Sequence, residues 1–107
     1  MVISRFTPSQ IEQLGYYVYL YTDPRDNKIF YVGKGYGNRV FEHLDDTSET
    51  QKVQRINDIR KAGKEPQIDI LIHGLEEEST AYKIEASVID TIGISNLTNI
   101  PRGKWSV

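Results

Sequence analysis

Residues 16–43 read YYVYLYTDPRDNKIFYVGKGYGNRVFEH, and the fold follows from how this stretch divides. Tyr16 to Thr22 are nearly all aromatic or β-branched, Asp23 to Asn27 are turn formers, and Ile29 to Val32 resume strand character. The stretch therefore predicts a β-hairpin. Side chains alternate along a strand, which puts Tyr17, Tyr19 and Tyr21 on one face and Val18 and Leu20 on the other. The aliphatic face reads as core and the tyrosine face as available for function. Gly33-Lys34-Gly35-Tyr36-Gly37-Asn38 then reads as a tight turn into a helix capped by Gly37 or Asn38, with Val40, Phe41 and Leu44 as its apolar side. In that helix Arg39 and His43 stand four apart, so a cation and a titratable imidazole are rooted ~6 Å from each other.

Outward from this segment, Thr7-Pro8-Ser9-Gln10 has the form of a capping box with proline at the first helical position, and Gly15 ends that short helix. On the other side Thr47 or Ser48 starts a helix in which Val53, Ile56 and Ile59 recur at helical spacing, closed by Gly63. Pro66 to His73 reads as a third strand, antiparallel in the same sheet, with Ile68, Ile70 and Ile72 alternating. Ser79 or Thr80 opens a last long helix to about Ile92. Its stripe is Ala81, Ile84, Val88 and Ile92, with Glu85 beside it, and Gly93 stops it. The remaining stretch has no periodicity. The order αββααβα predicts an α+β domain, a small antiparallel sheet covered by helices.

At 107 residues the chain supports one hydrophobic core, so residues 1–107 are expected to form a single domain. No run approaches the ~20 apolar residues of a membrane span, and MVISRFTPSQ lacks a signal-peptide core, so the expectation is a cytoplasmic protein without a membrane partner. Cysteine is absent, which excludes disulfides and thiolate zinc sites and leaves oxygen or histidine to hold any metal. The formal charge of -2 and pI near 5.6 are unlike a free-standing nucleic-acid binder. The charge is unevenly placed, however. Lys28, Lys34 and Arg39 surround the glycine loop while Glu76, Glu77 and Glu78 lie far along the chain, so a local positive patch is expected.

Neither nucleotide-phosphate signature is met. Lys34 is followed by Gly35 rather than Ser or Thr, and the run is G-x-G-x-G rather than G-x-G-x-x-G. Taken singly, Arg39 and His43 fit a solvated helix face, Glu85 a boundary position, His73 plain surface, and Asn96 and Asn99 turns. No one position decides the function.

In combination these residues resemble a known family. A strand pair ending in Tyr31-Val32-Gly33, preceded by an aromatic strand with Val18-Tyr19, resembles the GIY-YIG nuclease domain. YVGKGYGNRVFEH is similar to the branch of the LEM-3 and ankyrin-repeat LEM nucleases. Glu85 in IEASVID, then LTN and PRG, follow in the expected order, so the resemblance runs from about Tyr16 to Gly103. It implies a three-stranded antiparallel sheet flanked by helices.

By position the resemblance makes Tyr19 the tyrosine of the first motif and Tyr31 that of the second. Gly15-Tyr16-Tyr17 and Tyr17-Val18-Tyr19 both approximate the first motif, and Tyr19 is preferred because it sets Asp23 four residues on. The resemblance further implies Arg39 and His43 as catalytic, and Lys34, Gly33, Gly35, Asn38 and Asn99 as substrate-binding. Glu85 is implied as the ligand of one Mg²⁺ or Mn²⁺. The loop before Arg39 is shorter than in many members, which bears on substrate choice. The implied activity is metal-dependent endonucleolytic hydrolysis of DNA, with branched DNA or RNA as further substrates, and Tyr31 or Tyr19 as base with His43 either assisting it or orienting the water. A partner chain or a tethered DNA-binding module would supply specificity. The alternative is a catalytically silent module that binds nucleic acid or protein.

Overall fold

A computed structural model describes residues 5–99, the side chain of His43 excepted. Three strands, β1 (Tyr16–Asp23), β2 (Lys28–Gly35) and β3 (Gln67–Leu75), form one sheet in the order β2-β1-β3, with both pairings antiparallel. Five helical segments accompany them: α1 (Pro8–Leu14), α2 (Arg39–Glu42) running into a 3-10 turn at His43–Asp45, α3 (Gln51–Lys61), α4 (Glu78–Ile92) and a final 3-10 turn at Ile94–Asn96. The expected α+β architecture and three-stranded antiparallel sheet are thus present.

Local chemistry accounts for most boundaries. Thr7 accepts from the Gln10 amide while the Gln10 side chain accepts from the Thr7 amide, the reciprocal cap read from the sequence. In the hairpin turn the Asp23 carboxylate accepts from the Arg25 amide, and the Asn27 amide donates to the Asp23 carbonyl with Asn27 in the left-handed region. The hairpin register slips between Tyr21 and Thr22, leaving Phe30 as an extra residue on β2. The carbonyl of Phe30 accepts from both the amide and the hydroxyl of Thr98, so the segment after α4 covers the edge of β2.

The structure corrects several expectations. First, the tyrosine face is not open: Tyr17, Tyr19 and Tyr21 are fully buried with Phe30, Val40, Ile56 and Ile59, because α2 and α3 pack over that side of the sheet. Val18 and Val32 form the second core, beneath α4, with Ala81 and Ile89. The central strand therefore has core on both sides.

Second, Gly33 and Gly35 do not make a turn but belong to β2, directly across from Tyr19 and Tyr17. A Cβ on Gly33 would lie 2.4 Å from Cζ of Tyr19, and one on Gly35 would lie 2.7 Å from the Tyr17 ring. These glycines leave room for the tyrosine rings of the neighbouring strand.

Third, the helix expected from Asn38 to beyond His43 is only four residues of α-helix before the 3-10 turn. Tyrosine hydroxyls of β1 explain this. The Tyr17 hydroxyl accepts from the Val40 amide and donates to the Gly37 carbonyl, and the Tyr21 hydroxyl donates to the Val40 carbonyl, which in a longer helix would accept from Leu44. The next helix starts later than expected, at Gln51, capped by Thr50 rather than Thr47 or Ser48. The last one starts at Glu78, ahead of Ser79.

Candidate active site

A cleft of about 370 Å³ opens where β2 leaves the sheet. Its walls include Tyr19, Tyr31, Gly33, Lys34, Gly35, Arg39 and Glu85, seven of the ten positions singled out in the sequence. Cross-strand pairing brings the two tyrosines to one side of the sheet with ring centroids 6.1 Å apart. Arg39 arrives at the head of α2 and is exposed, donating to Glu42 at 3.3 Å.

Glu85 is only 3% exposed, in line with buried Ala81 and Ile89, rather than on the boundary of α4. Its Oε2 accepts from the Lys34 amide at 3.0 Å, which pins the carboxylate to β2. A buried carboxylate costs stability unless it is hydrogen-bonded, and here the bond also aims it at the cleft.

Two expected positions, Asn38 and Asn99, do not line the cleft. The Asn99 amide group bonds both main-chain groups of Val32, Nδ2 donating to the carbonyl at 2.7 Å and Oδ1 accepting from the amide at 3.1 Å. It therefore staples chain to chain instead of facing a substrate. Asn38 is likewise used internally, Oδ1 accepting from the Phe6 amide. These part-buried bonds to the main chain make both amides structural. His43 lies in the 3-10 turn, its side chain outside the described residues, as are Pro101 to Gly103.

The two tyrosines differ in chemistry. Burial drives the hydroxyl of Tyr19 far above the usual phenol range, and the neighbouring Tyr31 and Tyr21 push it further, while Arg39 acts only weakly the other way. Tyr19 thus stays a neutral phenol. Tyr31 is half-buried, and the Lys52 ammonium stands 4.7 Å from its ring centroid.

Charge in the cleft departs from the expected positive patch. Lys34 and Arg39 face Glu42, Glu78 and Glu85, and Lys34 Nζ is paired with Glu78 at 3.1 Å. Lys28 sits at the other end of β2, paired in register with Asp23, and does not line the cleft. Sequence reasoning missed Glu42 and Glu78. Glu42 was visible as an acid three residues after Arg39, whereas Glu78 needed the packing of α4 on β2.

The cleft lining holds one buried carboxylate, Glu85, and two exposed ones, Glu42 and Glu78, with no cluster of three His, Asp or Glu side chains placed to hold an ion among the described residues. That donor set fits a magnesium-like ion, which keeps several waters and takes one or two carboxylates plus substrate phosphate.

The model of the LEM-3-like GIY-YIG domain family matches residues 26–107. The chain belongs to this family. No curated protein and no solved structure matches it. The LEM-3-like match opens at Asp26 in the hairpin turn, so it spans β2, Arg39 and Glu85, while β1 with Tyr19 precedes it. Membership in the GIY-YIG family implies nuclease-type activity in general, a nucleic-acid substrate and, as is general for these nucleases, a metal requirement. No helix among the described residues of this LEM-3-like domain is long and apolar enough to cross a membrane.

Proposed function

We propose that the cleft hydrolyses phosphodiester bonds of DNA endonucleolytically, with Glu85 holding a divalent cation. The observation that carries this reading is the convergence of Lys34, Arg39, Tyr31 and a buried, cleft-facing Glu85 in one polar depression of a GIY-YIG family member. Arg39 presents two parallel donors to phosphate oxygens, and Lys34 adds a point charge. Both leave carboxylate partners, Glu42 and Glu78, to do so. Oη of Tyr31 takes the proton of the attacking water, with the Lys52 ammonium over its ring. Tyr19, neutral and buried, backs Tyr31 in the wall of the cleft without exchanging a proton. His43 keeps the part its place in the motif gives it, assisting that base or orienting the water. When bound, a Mg²⁺ or Mn²⁺ at Glu85 supplies charge to offset the phosphorane-like transition state and the departing alkoxide.

A nicking assay on supercoiled and branched DNA tests this. Glu85→Gln, which keeps the acceptor for the Lys34 amide, and Tyr31→Phe should each lower the rate by about a hundredfold or more while leaving the thermal melt unchanged. Chelation should abolish cleavage. Full activity in Glu85→Gln or in excess chelator overturns the metal assignment, and undiminished activity in Tyr31→Phe overturns the base. Binding without cleavage under every metal tested would identify a silent binding module.

A further inference from the structure

Next to the cleft lies a second depression of about 440 Å³, and the two share Tyr16 and Tyr36 as a common wall. Tyr36 is 53% exposed, the most exposed large hydrophobic side chain among the described residues. Its backbone is nevertheless well anchored. Gly35 before it is the last residue of β2, and the carbonyl of Gly37 after it accepts from the Tyr17 hydroxyl at 2.7 Å. Its ring leans on Tyr16 with centroids 5.1 Å apart. An exposed aromatic ring held by a strand end and a second ring is presented for stacking at small entropic cost.

The second depression differs from the first in charge. Glu12, Gln13 and Glu76 contribute to its walls, and none of its described lining residues is Lys or Arg. Carboxylates repel a phosphate, so the sugar-phosphate chain has no reason to enter. A nucleobase is neutral and offers a π-face to Tyr36 and exocyclic amino groups to the carboxylate and amide oxygens. A base within a duplex has both faces stacked and its pairing edge occupied, so only an unpaired base fits.

We propose, building on the phosphate-binding reading of the first cleft, that the second depression is a subsite for one unpaired nucleobase of the substrate, stacked on Tyr36 beside the scissile phosphate. Tyr36 is thereby a specificity-determining residue that favours DNA with a displaced nucleotide over a continuous duplex.

The test uses the full chain with Ca²⁺ in place of the catalytic metal and two probes: a paired duplex, and the same duplex carrying one unpaired 2-aminopurine. In the wild type the unpaired nucleotide should raise affinity about tenfold, as expected for one base–aromatic stack, and its fluorescence should be quenched on binding. Tyr36→Ala should remove both effects without changing affinity for the duplex by more than about twofold, and Tyr36→Phe should retain both. Lys34→Gln should weaken both probes alike, which reports on the phosphate cleft separately. If the wild type shows no preference for the unpaired nucleotide, or Tyr36→Ala weakens both probes equally, the subsite is wrong while the phosphate reading stands. If the wild type binds neither probe, the phosphate reading fails and takes the subsite with it.

Discussion

Gly33 illustrates how much of this site depends on single residues. Its hydrogen occupies the only direction in which a side chain could grow, and a methyl group there would overlap the Tyr19 ring. Gly33→Ala should therefore cost about 2–3 kcal/mol in urea denaturation, through displaced packing at the centre of the sheet. The same change should blunt cleavage at temperatures where the fold is intact, because Tyr19 and Tyr31 would be pushed apart. Gly33 and Gly35 read in isolation as turn formers. The signal that could have placed them was the shared period of two in Tyr17-x-Tyr19 and Gly33-x-Gly35, but pairing those runs requires the register, and the register depends on the bulge at Phe30. Residue identities such as Lys34, Arg39 and Glu85 were legible from motif order. That Asn38 and Asn99 bond the main chain was not, since amide side chains serve substrates and backbones equally well.

Among the elements, β1 departs most from its sequence reading. Aromatic composition was enough to make it a strand, and alternation correctly separated Tyr17, Tyr19 and Tyr21 from Val18 and Leu20. What alternation cannot show is that α2 and α3 cover the tyrosine side, because Val53, Ile56 and Ile59 reveal that α3 has an apolar face but not which surface it meets. The burial has a measurable consequence. Tyr19 and Tyr21 are held above the ordinary phenol value of 10.0, as is Tyr17 to a smaller degree, chiefly by burial. In the unfolded chain they ionise near pH 10, whereas in the folded chain they do not, so above that pH the unfolded state binds fewer protons and folding weakens. Through these tyrosines stability should be unchanged between about pH 8 and 9.5 and then fall, each contributing up to ~1.4 kcal/mol per pH unit. Chemical melts between pH 8 and 12, followed by phenolate absorbance, should show the last three of the seven tyrosines ionising only as the chain unfolds. All seven phenolates appearing ahead of unfolding would mean that these rings are accessible.

At the scale of the whole molecule, the acidic balance of the chain extends into its own cleft. Two cations there stand against three carboxylates, so the isolated domain should bind duplex DNA weakly, with a log-log salt slope of about -2, since each neutralised phosphate contributes ~0.9. Glu78→Gln frees Lys34 and should tighten binding about 2–5-fold, in keeping with an exposed ion pair worth up to ~1 kcal/mol. Fluorescence anisotropy across a salt series, with Glu76→Gln as a control of equal charge, checks this. Equal gains in both variants would reduce the effect to net charge. The same scale holds the longest-range hydrogen bonds among the described residues, from Thr98 to Phe30 and from Asn99 to Val32, which span 68 and 67 residues of chain. During synthesis at roughly 5–20 residues per second, the outer edge of β2 stays unprotected for about 3–13 s after that strand has been made. The interval is a window in which a nascent sheet edge is open to a neighbouring chain on the same message, and closing it falls to a few residues made after α4.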